Sequence, residues 1–295
     1  MMLALYDIDM THETGDDQTR LWNGPGGDAW VDEQELLDRL LKPFETLLIE
    51  AVAARSPKQL LDVGCGTGST TLAAARLLGA QGRCIGVDIS APMIAAARAR
   101  AEREGSQARF ICANAEDHAF DPASADMIIS RFGVMFFDDS VRAFANLRRA
   151  ATGDAEMRCI AWRSAAENPF MTAAERAAAP LLPNLPVRRP DAPGQFAFGN
   201  RDRVRSILEK SGWAEIDIRP IDVASALPEK ELVRYVTRFG PVGRILQDAD
   251  AQTRARVIDA IRPAFDPYVH GDEVRVVAAC WIICGQADPS YPSSQ

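Results

Sequence analysis

The chain has 295 residues, 47% of them hydrophobic, and carries 33 basic against 41 acidic residues for a net charge of −8. That is ample apolar material for a real core, while the acidic balance, with no basic run longer than Arg148-Arg149 or Arg188-Arg189, argues against a nucleic-acid partner. No apolar run is long enough to span a membrane, and the six cysteines include no Cys-x-x-Cys and no pair beside a histidine, so no metal site is expected and the thiols read as reduced core residues of a cytoplasmic protein.

Residues 1 to about 20 are polar and acidic without periodicity and are expected to form a mobile arm; Asp7, Asp9 and the lack of a basic start argue against a signal peptide. Next, Trp22 and Trp30 flank a Gly/Pro turn, which either anchors the following helix or lines a pocket. From Val31 to Val52 apolar residues recur at three and four, the pattern of an amphipathic helix that Pro43 should kink or divide. Residues 1–57 thus read as an arm and helical cap ahead of a main domain over 58–295.

That domain opens on Leu60-Leu61-Asp62-Val63-Gly64-Cys65-Gly66-Thr67-Gly68, an apolar strand entering a glycine-rich turn, with a helix from Thr70 to Leu78 behind it. Glycines admit a ligand to the backbone, and the helix N-terminus carries partial positive charge. The spacing is not Gly-x-Gly-x-x-Gly, since Ser69 stands where the last glycine would be, and a phosphate loop would need a lysine that is absent between Lys58 and Lys210. Asp62 suits a cationic ligand part. Asp88, ending the next apolar run, suits the two hydroxyls of an adenosine ribose.

On these residues the chain resembles the class I S-adenosylmethionine-dependent methyltransferases, whose signature is Asp-x-Gly-x-Gly-x-Gly followed by an acid ending the second strand. The resemblance implies a Rossmann-like, seven-stranded, mostly parallel sheet with an antiparallel last strand. It also implies S-adenosyl-L-methionine as cofactor, S-adenosyl-L-homocysteine as product and a small-molecule acceptor. It gives Gly64, Cys65, Gly66 and Gly68 to the loop, Asp62 to the ammonium end, Asp88 to the ribose, Ile89 and Met93 to the adenine faces, and Asn114, Ala115 and Glu116 to its edge. Asn114 stands where the family commonly has aspartate, and its carbonyl oxygen can still accept from the adenine amino group. Ser130 and Arg131, ending the fourth strand, border the methionine moiety. The run Ser130 to Phe137 is similar to the ubiquinone and menaquinone C-methyltransferases. Phe132 and Phe137, with Trp22 and Trp30, are the substrate-side candidates, although at least two of Phe132, Met135, Phe136 and Phe137 should be core.

Further strands are expected at Gln59–Val63, Arg83–Asp88, Ala108–Cys112, Ala125–Ser130, Glu156–Trp162, Trp213–Pro220 and Val274–Cys284, with helices at Ala91–Glu104, Ser140–Ala151 and Asp202–Ser211. Pro180 to Pro193 is an irregular connection. Ile221 to Gly271 reads as a helical insertion before the last strand, able to act as a lid. A general base is not legible among His12, His118 and His270, and Arg131 is open to an acidic substrate group, the methionine carboxylate or a pair with Asp138. C-, O- and N-methylation are not distinguished, nor is the oligomeric state, a homodimer included. Two rival readings are an NAD-dependent oxidoreductase, disfavoured by glycine spacing and the helical prelude, and a catalytically inactive protein that binds S-adenosylmethionine.

Overall fold

The computed structural model describes residues 15–189 and 192–288. Four N-terminal helices, α1 (Gly15–Trp22), α2 (Pro25–Asp32), α3 (Gln34–Leu40) and α4 (Lys42–Arg55), precede the sheet. The expected mobile arm falls largely outside the described residues, as does His12; from Gly15 onward the chain is helical. The helical stretch over Val31–Val52, which Pro43 is expected to kink or divide, is divided at Leu41 just ahead of that proline and broken once more at Glu33. Pro43 lies in the first turn of α4, where its missing N–H costs nothing.

Strand and helix then alternate through β1 (Gln59–Val63), α5 (Ser69–Leu78), β2 (Arg83–Asp88), α6 (Ala91–Glu104), β3 (Arg109–Cys112), β4 (Ala125–Arg131), α7 (Ser140–Ala150) and β5 (Ala151–Trp162). After α8 (Ala173–Ala178) and α9 (Arg201–Lys210) come β6 (Trp213–Pro228), α10 (Leu232–Arg238), α11 (Gly240–Gln247), α12 (Ala251–Ile261), β7 (Val269–His270) and β8 (Glu273–Ala287). The sheet order is β3-β2-β1-β4-β5-β8-β6, with the short β7 attached to β8. Neighbours from β3 to β5 pair in parallel, and β8 runs antiparallel to both β5 and β6.

Residues 60 to 63 are buried throughout, as a central parallel strand requires. Along β4 the faces alternate. Met127 and Ile129 meet Val52, Leu60, Ala74 and Cys84, whereas Ile128 joins the main core with Phe144, Leu147 and Leu208. Ser90 opens α6 by accepting the Met93 N–H, and Asp139 opens α7 by accepting that of Arg142.

The expected boundary at Pro220 is wrong. Strand β6 continues to Pro228 and pairs with β8 from Trp213↔Ala287 to Pro228↔Glu273. Ile221, Val223, Ser225 and Leu227 repeat every second residue, a strand period that the helical reading of the insertion overlooked. Because β5 reaches only Cys280–Gln286 of β8, the far ends of β6 and β8 leave the sheet as a two-stranded ribbon. Helices α10 to α12 fold against this ribbon around a second core, in which Leu232, Val242, Leu246, Val257, Phe265 and Val274 pack with Leu36 and Leu40 of α3.

The N-terminal helices and the insertion therefore share a core. Replacing fully buried Leu246 or Leu36 by alanine is expected to cost about 2–5 kcal/mol in urea unfolding, against less than about 0.5 kcal/mol for Leu77→Ala on the surface.

Candidate active site

Three glycines of the first loop answer to different neighbours. Gly64, at φ +68°, passes so close to Gly133 that a Cβ there would stand 2.5 Å from the Gly133 Cα. Gly66, at φ +55°, has nothing nearer to such a Cβ than Met93 Sδ at 3.7 Å, so this peptide faces open space. Gly68 packs instead towards Phe110 and Ala97 and opens α5. The loop is tied down because Gly64 and Cys65 donate their N–H groups to Val87 O, at 2.8 and 3.1 Å, and Gly66 donates to Asp88 Oδ2 at 2.8 Å.

Asp88 Oδ1 accepts a second backbone hydrogen bond, from Ser90 at 2.9 Å. Burial pushes its carboxyl above the ordinary range, and these backbone donors counter part of that effect. Asp62 lies one layer deeper, 1% exposed, accepting from Thr71 Oγ1 at 2.6 Å. Burial raises its pKa to about 6, opposed by the Thr71 hydrogen bond and by Arg131. Asn114 Oδ1 accepts from the Glu116 N–H at 3.0 Å. Glu116, 3% exposed, in turn receives Asp138 N–H at 2.5 Å and Arg142 Nη2 at 2.7 Å, which fixes the segment after β4.

At the end of β4, Ser130 is fully buried and donates to Val63 O at 2.7 Å. The Arg131 side chain is 10% exposed and turns towards Glu45 of α4, 3.9 Å away, while its Nη1 donates to Ser69 Oγ at 3.3 Å and Leu41 O at 3.4 Å. Burial lowers its pKa, and Glu45 and then Asp62 pull it back. Phe132 follows in the left-handed region at φ +64°, a rare conformation for a bulky residue that carries strain. Its ring stacks on Trp162 at 4.3 Å and 7°.

These elements surround a cavity of about 1620 Å³ at the ends of β1, β2 and β4. Gly64, Cys65, Gly66, Asp88, Ile89, Met93, Asn114, Ala115, Glu116 and Arg131 all line it, and so do Trp22, Trp30, Phe132 and Phe137. Asp62, Gly68 and Ser130 do not; they sit behind the wall. Met135 is the most buried of Phe132, Met135, Phe136 and Phe137, yet all four reach the cavity. The His118 ring packs edge-on against Phe120 at 4.7 Å, His270 lies on β7, and neither lines the cavity.

Sequence reasoning missed several wall residues. Trp162 ends β5 and Met171 follows it, Tyr235 and Phe239 stand on the insertion, and Asp38 of α3 accepts from Arg100 at 2.9 Å while Arg100 also donates to Thr67 O at 3.0 Å. Rings chain edge to face from Phe136 through Trp22 and Trp30 to Phe239, whose ring meets Tyr235 at a tilt of 44°. Glu33, at the break between α2 and α3, accepts from Arg234 of α10 at 2.6 Å, and Asp32 of α2 pairs with Arg238. Residues so far apart in sequence gave no local signal of meeting.

Residues 60–153 match the family described as a methyltransferase domain. Among curated proteins, aklanonic acid methyltransferase of Streptomyces sp. strain C5 is 32% identical over 122 residues, covering 40% of this chain and 56% of its own. Demethylmenaquinone methyltransferase of Thermus thermophilus is 32% identical over 121 residues, covering 39% and 54%. The chain thus spans little more than half the length of these two relatives. In fold it is similar to phosphoethanolamine N-methyltransferase 2 of Haemonchus contortus, solved with phosphomonomethylethanolamine and S-adenosylhomocysteine, at a TM-score of 0.54 and 18% identity over 92% of this chain and 58% of that one. Sheet order, glycine loop and domain match agree on a Rossmann-like fold whose residues 60–153 are similar to the methyltransferase domain family.

Proposed function

We propose that this chain transfers a methyl group from S-adenosylmethionine to a small organic acceptor held in the same cavity. The observation that carries this reading is Asp88, a buried carboxylate oriented by two backbone N–H groups and set beside the open peptide of Gly66. Each carboxylate oxygen has a further lone pair, which suits the two hydroxyls of a ribose. Ile89 and Met93 would flank the adenine, and Asn114, Ala115 and Glu116 would border its edge. The Asn114 carbonyl oxygen, already bonded to Glu116 N–H, has one lone pair left for the amino group. Gly64, Cys65 and Gly66 would shape the methionine end, with Gly68 and Ser130 holding that wall from behind. Asp62 would supply negative charge beneath the ammonium group, and Arg131 would face the carboxylate or an acidic group of the acceptor.

When bound, the cofactor supplies an electrophilic methyl group on a sulfonium. The chain's part is to align the acceptor and exclude water. The cavity exceeds the roughly 300–1,000 Å³ of an ordinary ligand pocket, which supports a second, bulky molecule beside the cofactor. Trp22, Trp30, Phe132 and Phe137 offer ring faces to that acceptor and to the cationic sulfur. Burial raises the Tyr235 phenol, keeping it a hydrogen-bond donor in the acceptor wall. Helix α10, joined by Arg234–Glu33 and Arg238–Asp32 to the end of α2, would close the acceptor side as a lid together with α11.

Calorimetry with S-adenosylhomocysteine tests the cofactor. Gly66→Val and Asp88→Ala should each weaken binding at least tenfold, since a charge-assisted hydrogen bond is worth about 1.5–3 kcal/mol; unchanged affinity in both, or tight binding of a nicotinamide dinucleotide instead, would sink the assignment. Affinity should also depend on pH. A cation above Asp62 would draw its pKa down from about 6, so binding in acid must expel a proton. Affinity is expected to climb up to pH 6, by at most about tenfold per unit, then level off, and Asp62→Asn should flatten the profile. Finally, Trp22→Ala with Trp30→Ala should lower methyl transfer to a reactive member of a metabolite panel, read by mass spectrometry, at least tenfold. The same pair should cost only about 1–3 kcal/mol of stability, the scale of their ring contacts.

A further inference from the structure

Asn23 stands at the exposed corner between α1 and α2. Its side-chain amide bridges two backbone groups of the turn between β2 and α6, with Nδ2 donating to Ile89 O at 3.0 Å and Oδ1 accepting from Ala91 N–H at 2.8 Å. Nδ2 also donates to Thr19 O at 2.9 Å, which fixes the amide to its own helix. Beside it Ser90 Oγ donates to Trp22 O at 2.5 Å, and Gly27 of α2 comes so near that a Cβ there would stand 2.8 Å from Ser90 Oγ. The Ala91 N–H belongs to the first turn of α6 and has no partner within that helix. Asn23 thus caps α6 from a distant part of the chain.

The capped turn is the one that orients Asp88, through Ser90 N–H. On its other side Asn23 follows Trp22, whose ring meets Phe136 at 5.1 Å and Trp30 at 6.2 Å in the acceptor wall. We infer that Asn23 is a positioning residue coupling the cofactor end of the cavity to its acceptor end; the inference rests on the cofactor reading above. A side-chain amide matches an acceptor and a donor two residues apart only while the 89–91 backbone holds this conformation. A ligand that orders Asp88 and its turn therefore favours the docked corner, and a docked corner orders Asp88 by the same free energy. Filling the cofactor end then favours the completed tryptophan wall.

The test uses the full chain with S-adenosylhomocysteine as the probe. Calorimetry measures its binding, and hydrogen exchange of amides 18–32 is followed with and without it in the wild type, Asn23→Ala, Asn23→Asp and, as a control on a remote surface, Arg55→Ala. In the wild type the ligand should slow exchange about tenfold. Asn23→Ala should remove most of that slowing and weaken binding by a matching factor. Asn23→Asp should behave alike, because a carboxylate cannot donate to Ile89 O, and Arg55→Ala should leave both readings unchanged. Binding without any slowing in the wild type, or full slowing in Asn23→Ala, overturns the coupling and leaves the cofactor reading intact. Failure of the wild type to bind overturns that reading and the coupling with it.

Discussion

The close approach of two backbones, at Gly64 after β1 and Gly133 after β4, is the constraint on which the rest of the site depends. A Cβ on Gly133 would stand 2.6 Å from Val63 O, as one on Gly64 would meet the Gly133 Cα, so neither chain can move without the other. Ser130 binds the two strand ends together, donating to Val63 O and accepting the Gly133 N–H at 3.2 Å. With the crossing fixed, the glycine loop has one path from β1 to α5. The chain leaving β4 must turn sharply at Phe132, whose positive φ is the strain this crossing imposes. Its ring is thereby laid flat on Trp162.

Around that crossing the protein buries charge. Asp62, Glu45 and Arg131 occupy one buried layer, Arg131 balanced between acids from β1 and α4. Glu45 also accepts from Ser69 Oγ and from Lys42 Nζ, each at 2.5 Å. Buried ions are expensive unless paired, and here the partners come from different elements. The N-terminal helices are therefore part of the electrostatic support of the loop. Asp38, through Arg100 to Thr67 O, repeats the arrangement on the loop's other flank.

The glycine-loop half was legible because its signals are local. Asp62, the alternating glycines and Asp88 lie within one βαβ unit, where the two acids stand out as charged residues buried in otherwise apolar strands. The β6 boundary was misread because Pro220 and the charges around it resemble a strand end, while the period-two pattern of Ile221 to Leu227 is weak in isolation. The second core was invisible for another reason. Leu36 and Leu40 look like any amphipathic face, and nothing local says that the face is shared with residues two hundred positions away. Asn23 was passed over as a turn residue, since its amide acts on a turn far along the chain.

The ribbon formed by β6 and β8 leaves one long strand with an open side. An edge of that length is a template on which a second chain can add. Strand β6 counters this with its own chemistry. Pro220 and Pro228 offer no N–H, and Glu215, at φ +46°, lies within a register shift between Ala214 and Asp217 that breaks the ladder. Asp217, Arg219 and Asp222 stand exposed along it. The features that obscured this strand in the sequence are thus the ones that disfavour the addition of a second strand at this edge.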